Sequence, residues 1–375
     1  MSGGHVRSGL GEPKADLPAL TGLRGVAAWF VVLYHIRVSA GPQVPPEALA
    51  VLAKGYLAVD LFFMLSGFVL WLNYADRLRA QGLAAAPLFL ARRLARIWPL
   101  HLFILAGAIA FAGLLQALGK INPATYPWAE LPLHVLLVQN WGFTGALTWN
   151  VPAWSISCEW AAYLLFPFLV LAIDWRKVGP VATVAAIMLL SILLSALMHS
   201  GGASTLGADV PRFGLARALS EFAIGTAVCG LWLRWRDRLS LPLSVSALLS
   251  LTVATAWFAG LLSETVAVPL AFAALLLALA LTGASGRNPL GSRPVHYLGR
   301  ISYATYLVHY LLFIAFKILF VEDAANVPLP LLGLFLILTF AASAALHHLV
   351  ELPAQRWANR ALSRSRKAPP ALSAA

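Results

Sequence analysis

Charge is scarce in this chain. Only 11% of its 375 residues are Asp, Glu, Lys or Arg, while 60% are hydrophobic. A soluble domain is charged at about a quarter of its positions, so burial in an ordinary core does not account for the composition. Acidic residues are scarcer still, 15 against 27 Lys and Arg, for a net charge of +12. An excess of that sign can serve nucleic acid. Here the basic residues gather in alternate connections between apolar runs, which is what membrane topology demands, and a nucleic-acid partner is set aside. Cysteine is almost absent. Cys158 and Cys229 each sit inside an apolar run, which excludes a disulfide framework and a thiolate metal site. No metal site is expected. There is no internal repeat, and the polar residues 1–18 lack a signal-cleavage pattern, so the apolar run from Leu20 is expected to act as an uncleaved anchor.

What the chain has instead is long apolar runs. A bilayer crossing needs about 20 such residues. The sequence predicts ten, at 19–39, 55–75, 98–117, 152–173, 179–199, 212–233, 241–260, 264–282, 299–320 and 330–351. Residues 76–97 interleave arginines with Leu88, Phe89, Leu90 and Leu94 and read as an amphipathic segment at the interface. With both termini cytoplasmic, the outer connections hold only Arg37, Lys54, Lys120 and Arg212, and the inner ones hold most of the 27 Lys and Arg. The expected fold is all-α and polytopic. A polar cytoplasmic tail covers 1–18, the membrane domain 19–354, and a basic, disordered cytoplasmic tail 355–375.

Ionisable groups inside a bilayer are costly and mark function by default. Arg24 and His35 stand eleven residues apart in the first span, on one helix face and about 16–17 Å apart along the axis. Asp60 opens the second span at a depth similar to that of His35. It could fix the imidazole tautomer, or cap its own helix. In the fourth span Glu159 lies near the midplane, with Ser155 and Tyr163 on its face. In the sixth, Arg217 and Glu221 are spaced i, i+4 and are expected to form a structural ion pair. The ninth span carries Ser302, Tyr303, Tyr306 and His309, with His309 a second candidate imidazole or a cross-helix hydrogen-bonding group. Ser66, Ser155, Tyr163, Tyr303 and His309 are candidates to line a cavity or meet an acceptor.

The run A-R-R-L-A-R-I-W-P puts Arg92, Arg93 and Arg96 on neighbouring helical positions. The i, i+3 pair Arg93 and Arg96 can converge on one phosphate, although any juxtamembrane basic cluster also attracts anionic lipid. On the opposite side, residues 118–151 form the longest connection and contain Trp128, Trp141 and Trp149, which suit either sugar faces or an interfacial belt; the belt is the safer assignment.

These motifs resemble, in order, those of acyltransferase family 3, membrane proteins that O-acylate cell-surface carbohydrates. T-G-L-R-G-V-A-A followed by His35 matches the family's Arg-x10-His pattern. G-Y-L-A-V-D-L-F-F-M-L-S-G-F, R-R-L-A-R-I-W-P, W-S-I-S-C-E-W-A-A-Y-L-L-F-P, E-F-A-I-G, L-G-R-I-S-Y-A-T-Y-L-V-H and V-E-L-P follow. The resemblance runs from about 18 to 354. It implies a cytoplasmic acyl-CoA co-substrate rather than a resident cofactor, acetyl first among the acyl groups. It also implies a carbohydrate or glycolipid acceptor reached from outside, and residence in a bacterial cytoplasmic (inner) membrane. By the motif match Arg24, His35, Arg93 and Arg96 carry over as functional residues. His35 then acts as general base or acyl carrier, with Asp60 orienting it and Glu159 touching the acceptor or tuning His35. Longer members add an extracytoplasmic esterase-like domain; its place here would be taken by direct transfer or by a separate extracytoplasmic protein. The rival class is a transporter or flippase for a lipid-linked glycan or acylated metabolite.

Overall fold

The computed structural model describes residues 17–237, 240–283 and 288–365. Its long helices are α1 Pro18–Ala40, α2 Ala58–Gln81 and α3 Ala86–Ala117. After a six-residue helix, α4 Leu131–Leu136, come α5 Ala153–Ala172, α6 Pro180–Ser200, α7 Val210–Trp235, α8 Ser240–Phe258, α9 Glu264–Thr282, α10 Arg293–Phe320, α11 Leu329–Leu346 and α12 Leu352–Ser365. Among the described residues nine stretches are long and apolar enough to cross a membrane. One of them, 46–117, contains both α2 and α3, so the helices that can span are ten, and the protein is an all-α polytopic membrane protein. Helices suit this role because they satisfy every backbone polar group internally. Leucines such as Leu241, Leu248 and Leu251 on α8 are exposed, as a surface facing lipid requires.

Two expected segments take another form. Residues 76–97 do not lie as one interfacial element. Asp76–Gln81 ends α2, a tight turn covers Gly82–Ala85, and α3 runs unbroken from Ala86. Gly82 has φ of +59°, a left-handed conformation that glycine adopts without cost, and this reverses the chain. The arginines there thus sit on the flanks of spanning helices. The segment expected as a disordered tail is helical as far as Ser365 in α12, whose Leu352 to Trp357 begin an amphipathic helix. Residues 366–375 and the N-terminal tail up to 16 lie outside the described residues.

Two helix pairs set the positions that matter for function. α1 packs along α10, and the contact depends on missing side chains. A Cβ at Gly299 would fall 1.8 Å from the Thr21 carbonyl oxygen, and one at Gly25 would fall 2.5 Å from the Gly299 nitrogen. Without those atoms the two backbones approach closely, as small residues allow in membranes. α2 packs on α7 in the same way: a Cβ at Gly67 would fall 2.0 Å from Phe222 O, and one at Gly225 1.9 Å from Met64 O.

Candidate active site

Helices α1, α2, α3, α5 and α10 enclose a cavity of about 820 Å³ including its mouth. Arg24, Arg93 and Arg96 line it together with Ser66, Glu159 and Tyr163. The three arginines reach it from two helices. Arg24 donates to Ser302 Oγ at 3.3 Å, a contact that follows from the close approach of α1 and α10. Arg93 donates to Tyr74 Oη at 3.0 Å and stacks its guanidinium 5.1 Å from that ring. Arg96 is held at 3.1 Å by Glu351 and reaches Gln355 Oε1 at 3.4 Å. Glu351 belongs to the V-E-L-P run and sits in a π-helical turn, His347–Glu351, between α11 and α12. π-turns of this kind re-aim side chains at functional sites. His347 supports the carboxylate from behind at 2.8 Å. Arg92, predicted with this group, does not line the cavity.

Glu159 belongs to the arginine cavity. Its Oε1 accepts from Ser66 Oγ at 2.6 Å and from Tyr163 Oη at 2.5 Å. A carboxylate so satisfied, facing three guanidinium groups across one cavity, balances part of their charge. Ser155, Tyr303 and Tyr306 line the same space. Tyr303 donates to the Ile97 carbonyl, and Tyr306 shares a 2.7 Å hydrogen bond with Ser155 Oγ. Tyr306 is also a boundary: its ring centre lies 6.1 Å from that of His309 and 5.9 Å from that of Phe62.

Beyond that boundary His35 and His309 face each other from α1 and α10. His35 Nδ1 is 2.9 Å from Val31 O and 3.2 Å from His309 Nε2. His309 Nδ1 is 3.1 Å from Thr305 O. A carbonyl only accepts, so each Nδ1 carries the proton. His309 Nε2 is then left as the acceptor, and His35 Nδ1–H is shared between Val31 O and that nitrogen. This tautomer, inferred from the hydrogen bonds, leaves the lone pair of His35 on Nε2. His309 is fully buried, while His35 keeps part of its surface open.

Two predicted pairings are corrected. Asp60 does not orient His35. Its carboxylate receives both Nε and Nη2 of Arg217 in a bidentate pair, with the two side chains 0% and 1% exposed. Nor does Arg217 pair with Glu221. Arg217 also donates to Leu206 O at 2.9 Å and Tyr56 O at 3.3 Å, which turns its fork away from its own helix. The buried Glu221 carboxyl receives no N–H or hydroxyl donor among the described residues and lies beside the Asp60 carboxyl instead. The fork geometry explains the preference: Arg217 finds two parallel acceptors on α2 and would find poorer alignment one turn along α7. The imidazole partner that Asp60 was expected to supply is His309. Tyr74, Tyr306 and Glu351 are contributors without a predicted role, although Tyr306 and Glu351 lie in quoted motifs.

Comparison with known proteins points one way. The sequence model of an acyltransferase domain matches residues 17–348. The chain is 34% identical over 325 residues to acyltransferase MdmB of Streptomyces mycarofaciens, covering 79% of this chain and 78% of that one. It is 35% identical over 160 residues to protein 2 in the picA locus of Rhizobium radiobacter, covering 40% of this chain and 79% of that protein. To O-acetyltransferase OatA of Staphylococcus aureus it is 23% identical over 372 residues, covering 91% of this chain but 57% of OatA. No solved structure matches. The two relatives named as acyltransferases, like the family match, favour an enzyme over a transporter. The chain belongs to acyltransferase family 3 and is a membrane-embedded acyltransferase of non-amino-acyl groups.

Proposed function

We propose that this protein moves an acyl group, acetyl first, from acyl-CoA on the cytoplasmic side to a hydroxyl of a surface or exported carbohydrate. Its home would be a bacterial cytoplasmic membrane with both termini inside. The observation that carries the reading is the order of groups along α1 and α10. Arg24 and Ser302 lie at one level and His35 and His309 at the next, joined by the arginine cavity and Tyr306. CoA has phosphates at one end and the thioester at the end of a flexible arm. Arg24, Arg93 and Arg96, which line one cavity, suit the phosphates, and the cytoplasmic face is the side where the basic residues of the chain are expected to concentrate.

In this reading His35 Nε2 takes the proton of the acceptor hydroxyl as its oxygen attacks the thioester carbonyl. The new C–O bond forms, the C–S bond breaks, and the proton passes to the departing thiolate. His309 accepts from the opposite nitrogen of His35 and so holds the lone pair outward while the imidazole is charged. Tyr306 moves aside to admit the thioester, since in the closed arrangement it separates the cavity from the histidines. Glu159 neutralises the cavity between turnovers. A separate extracytoplasmic protein would be the final carrier only if the acceptor cannot reach His35.

The test is mass spectrometry of surface and exported glycans from cells with and without the gene. An acyl mass increment that depends on the gene is expected, 42 Da for acetyl being an elementary mass difference of about that size. Identical glycans and an intact set of small acylated metabolites would contradict the reading.

A further inference from the structure

The arginine cavity changes character along its length. Ser66 of α2 and Glu159 of α5 share a 2.6 Å hydrogen bond, and Ser302 of α10 takes the Arg24 hydrogen bond. One turn along each helix towards the histidines, the lining is different. α2 brings Val59, Phe62 and Phe63 to the cavity, α5 brings Ser155 and Ile156, and α10 brings Tyr306. Two facts fix that direction. A Cβ at Gly55, just ahead of α2, would fall 2.6 Å from Tyr34 Cβ, so α2 begins beside His35. On α10, Tyr306 stands between Ser302 and His309. Four residues of helix advance about 6 Å, so Tyr306 lies that far beyond the Arg24 contact.

The two hydroxyl protons at this end are both in use. Ser155 Oγ donates to Pro152 O at 3.2 Å, so in its 2.7 Å hydrogen bond with Tyr306 it accepts the phenol proton. The other groups are apolar. Val59, Phe63 and Ile156 are buried, and Phe62 is half-buried and packed against the core. Edge-on ring pairs close the space. Phe62 meets Tyr306 with ring centres 5.9 Å apart, and Phe63 meets Trp154 at 5.9 Å. Rings packed in this way have little slack, because protein interiors are filled to crystal-like density.

We infer that this end of the cavity seats the acyl tail of the donor, and that Phe62 and Ile156 restrict the donor to short, uncharged acyl groups. The inference rests on the proposed transfer from acyl-CoA and deepens it by naming the acyl class. With the phosphates on the arginines, the flexible arm passes Ser66 and Glu159 and ends at Tyr306. When Tyr306 moves aside, the thioester carbonyl reaches His35. The tail stays against α2 and α5, the helices that do not carry the histidines. A short tail meets apolar surface there. A longer one collides with Phe62 and Ile156, and overpacking a filled interior is unfavourable. A succinyl tail would bring a carboxylate into a space whose walls offer it no cation and no unused hydroxyl proton; the Arg24 contact on Ser302 is a full turn back.

The test is competition binding on the full-length protein in nanodiscs, with labelled acetyl-CoA displaced by unlabelled acetyl-, hexanoyl- or succinyl-CoA. No acceptor is needed. Hexanoyl-CoA and succinyl-CoA are each expected to bind roughly 30-fold more weakly than acetyl-CoA. Phe62→Ala should bring hexanoyl-CoA about tenfold closer to acetyl-CoA and leave succinyl-CoA excluded; Ile156→Ala serves in the same way if the first variant does not fold. Val69→Ala, one turn past Ser66 towards the arginines, should keep the order of the parent. Equal binding of the three donors by the parent, or an unchanged order in both Phe62→Ala and Ile156→Ala, would overturn the inference while the acyl-CoA reading stands. If labelled acetyl-CoA shows no saturable binding, the acyl-CoA reading falls and the inference falls with it.

Discussion

His35 Nδ1 and His309 Nε2 stand 3.2 Å apart, one on α1 and one on α10, and among the described residues no carboxylate is hydrogen-bonded to either ring. In a triad a buried carboxylate would hold the base. Here a neutral imidazole does so, and its own Nδ1–H is anchored on Thr305 O. His309 is thus a positioning residue. His309→Phe should lower kcat about 100-fold with the KM for acetyl-CoA unchanged. His309→Gln, which can offer a carbonyl oxygen in place of Nε2, should recover part of the loss. Equal losses in Phe and Gln variants, or a rise in KM alone, would remove His309 from this role. The measurement is steady-state release of CoA thiol in the presence of acceptor.

The donor end separates two neighbouring arginines. Arg93 lines the cavity and Arg92 does not. Arg93→Ala and Arg96→Ala should each raise the KM for acetyl-CoA about 10–100-fold, the worth of one charge-assisted hydrogen bond. Arg92→Ala should leave it within about twofold. If the three variants behave alike, or if the effects vanish in vesicles of neutral lipid, the cluster binds membrane surface rather than CoA.

Asp60 and Arg217 predict a stability effect. Removing one member of a buried pair leaves an uncompensated charge, at a cost of about 3–5 kcal/mol. Asp60→Asn should therefore lower the melting temperature markedly, as should Arg217→Leu. The double variant should be more stable than Arg217→Leu, because Arg217→Leu alone strands Asp60 beside the buried Glu221. Additive losses in the double variant, read by thermal unfolding in detergent, would contradict this pairing.

The glycine seam predicts a coupled loss. Gly299→Val would force α10 away from the Thr21 carbonyl, at a cost of about 1–3 kcal/mol. Because Arg24–Ser302 and His35–His309 both cross that seam, activity should fall by more than the stability change alone accounts for. Gly333→Val on α11, with nothing within 4 Å of its Cβ position, should leave transfer unchanged. Comparable activity in both variants would show that the α1–α10 distance does not set the site.

The ten spans were legible because each is an apolar run of the required length, and the structure moves most of their ends by only a few residues. Arg24 and His35 were legible as one face of one helix, since that follows from helical period alone. Partners were not. Asp60 lies at a depth near that of His35, yet its carboxylate is turned to α7, and period and depth do not say which neighbour a face meets. Arg217 and Glu221 satisfy the i, i+4 rule, but a bidentate acceptor on another helix outcompetes a partner on the same one. Residues 76–97 read as interfacial because their arginines break the apolar pattern; in the fold Arg93 and Arg96 turn into a cavity and Arg79 meets the Ile173 carbonyl.

The central claim is that His35 performs the transfer. Its most direct measurement is acylation of acceptor by His35→Ala, in membranes holding the same amount of folded protein as the parent and saturated with acetyl-CoA. The account predicts that acyl product is lost while acetyl-CoA still binds at the arginine cavity. Near-normal product from His35→Ala would contradict it.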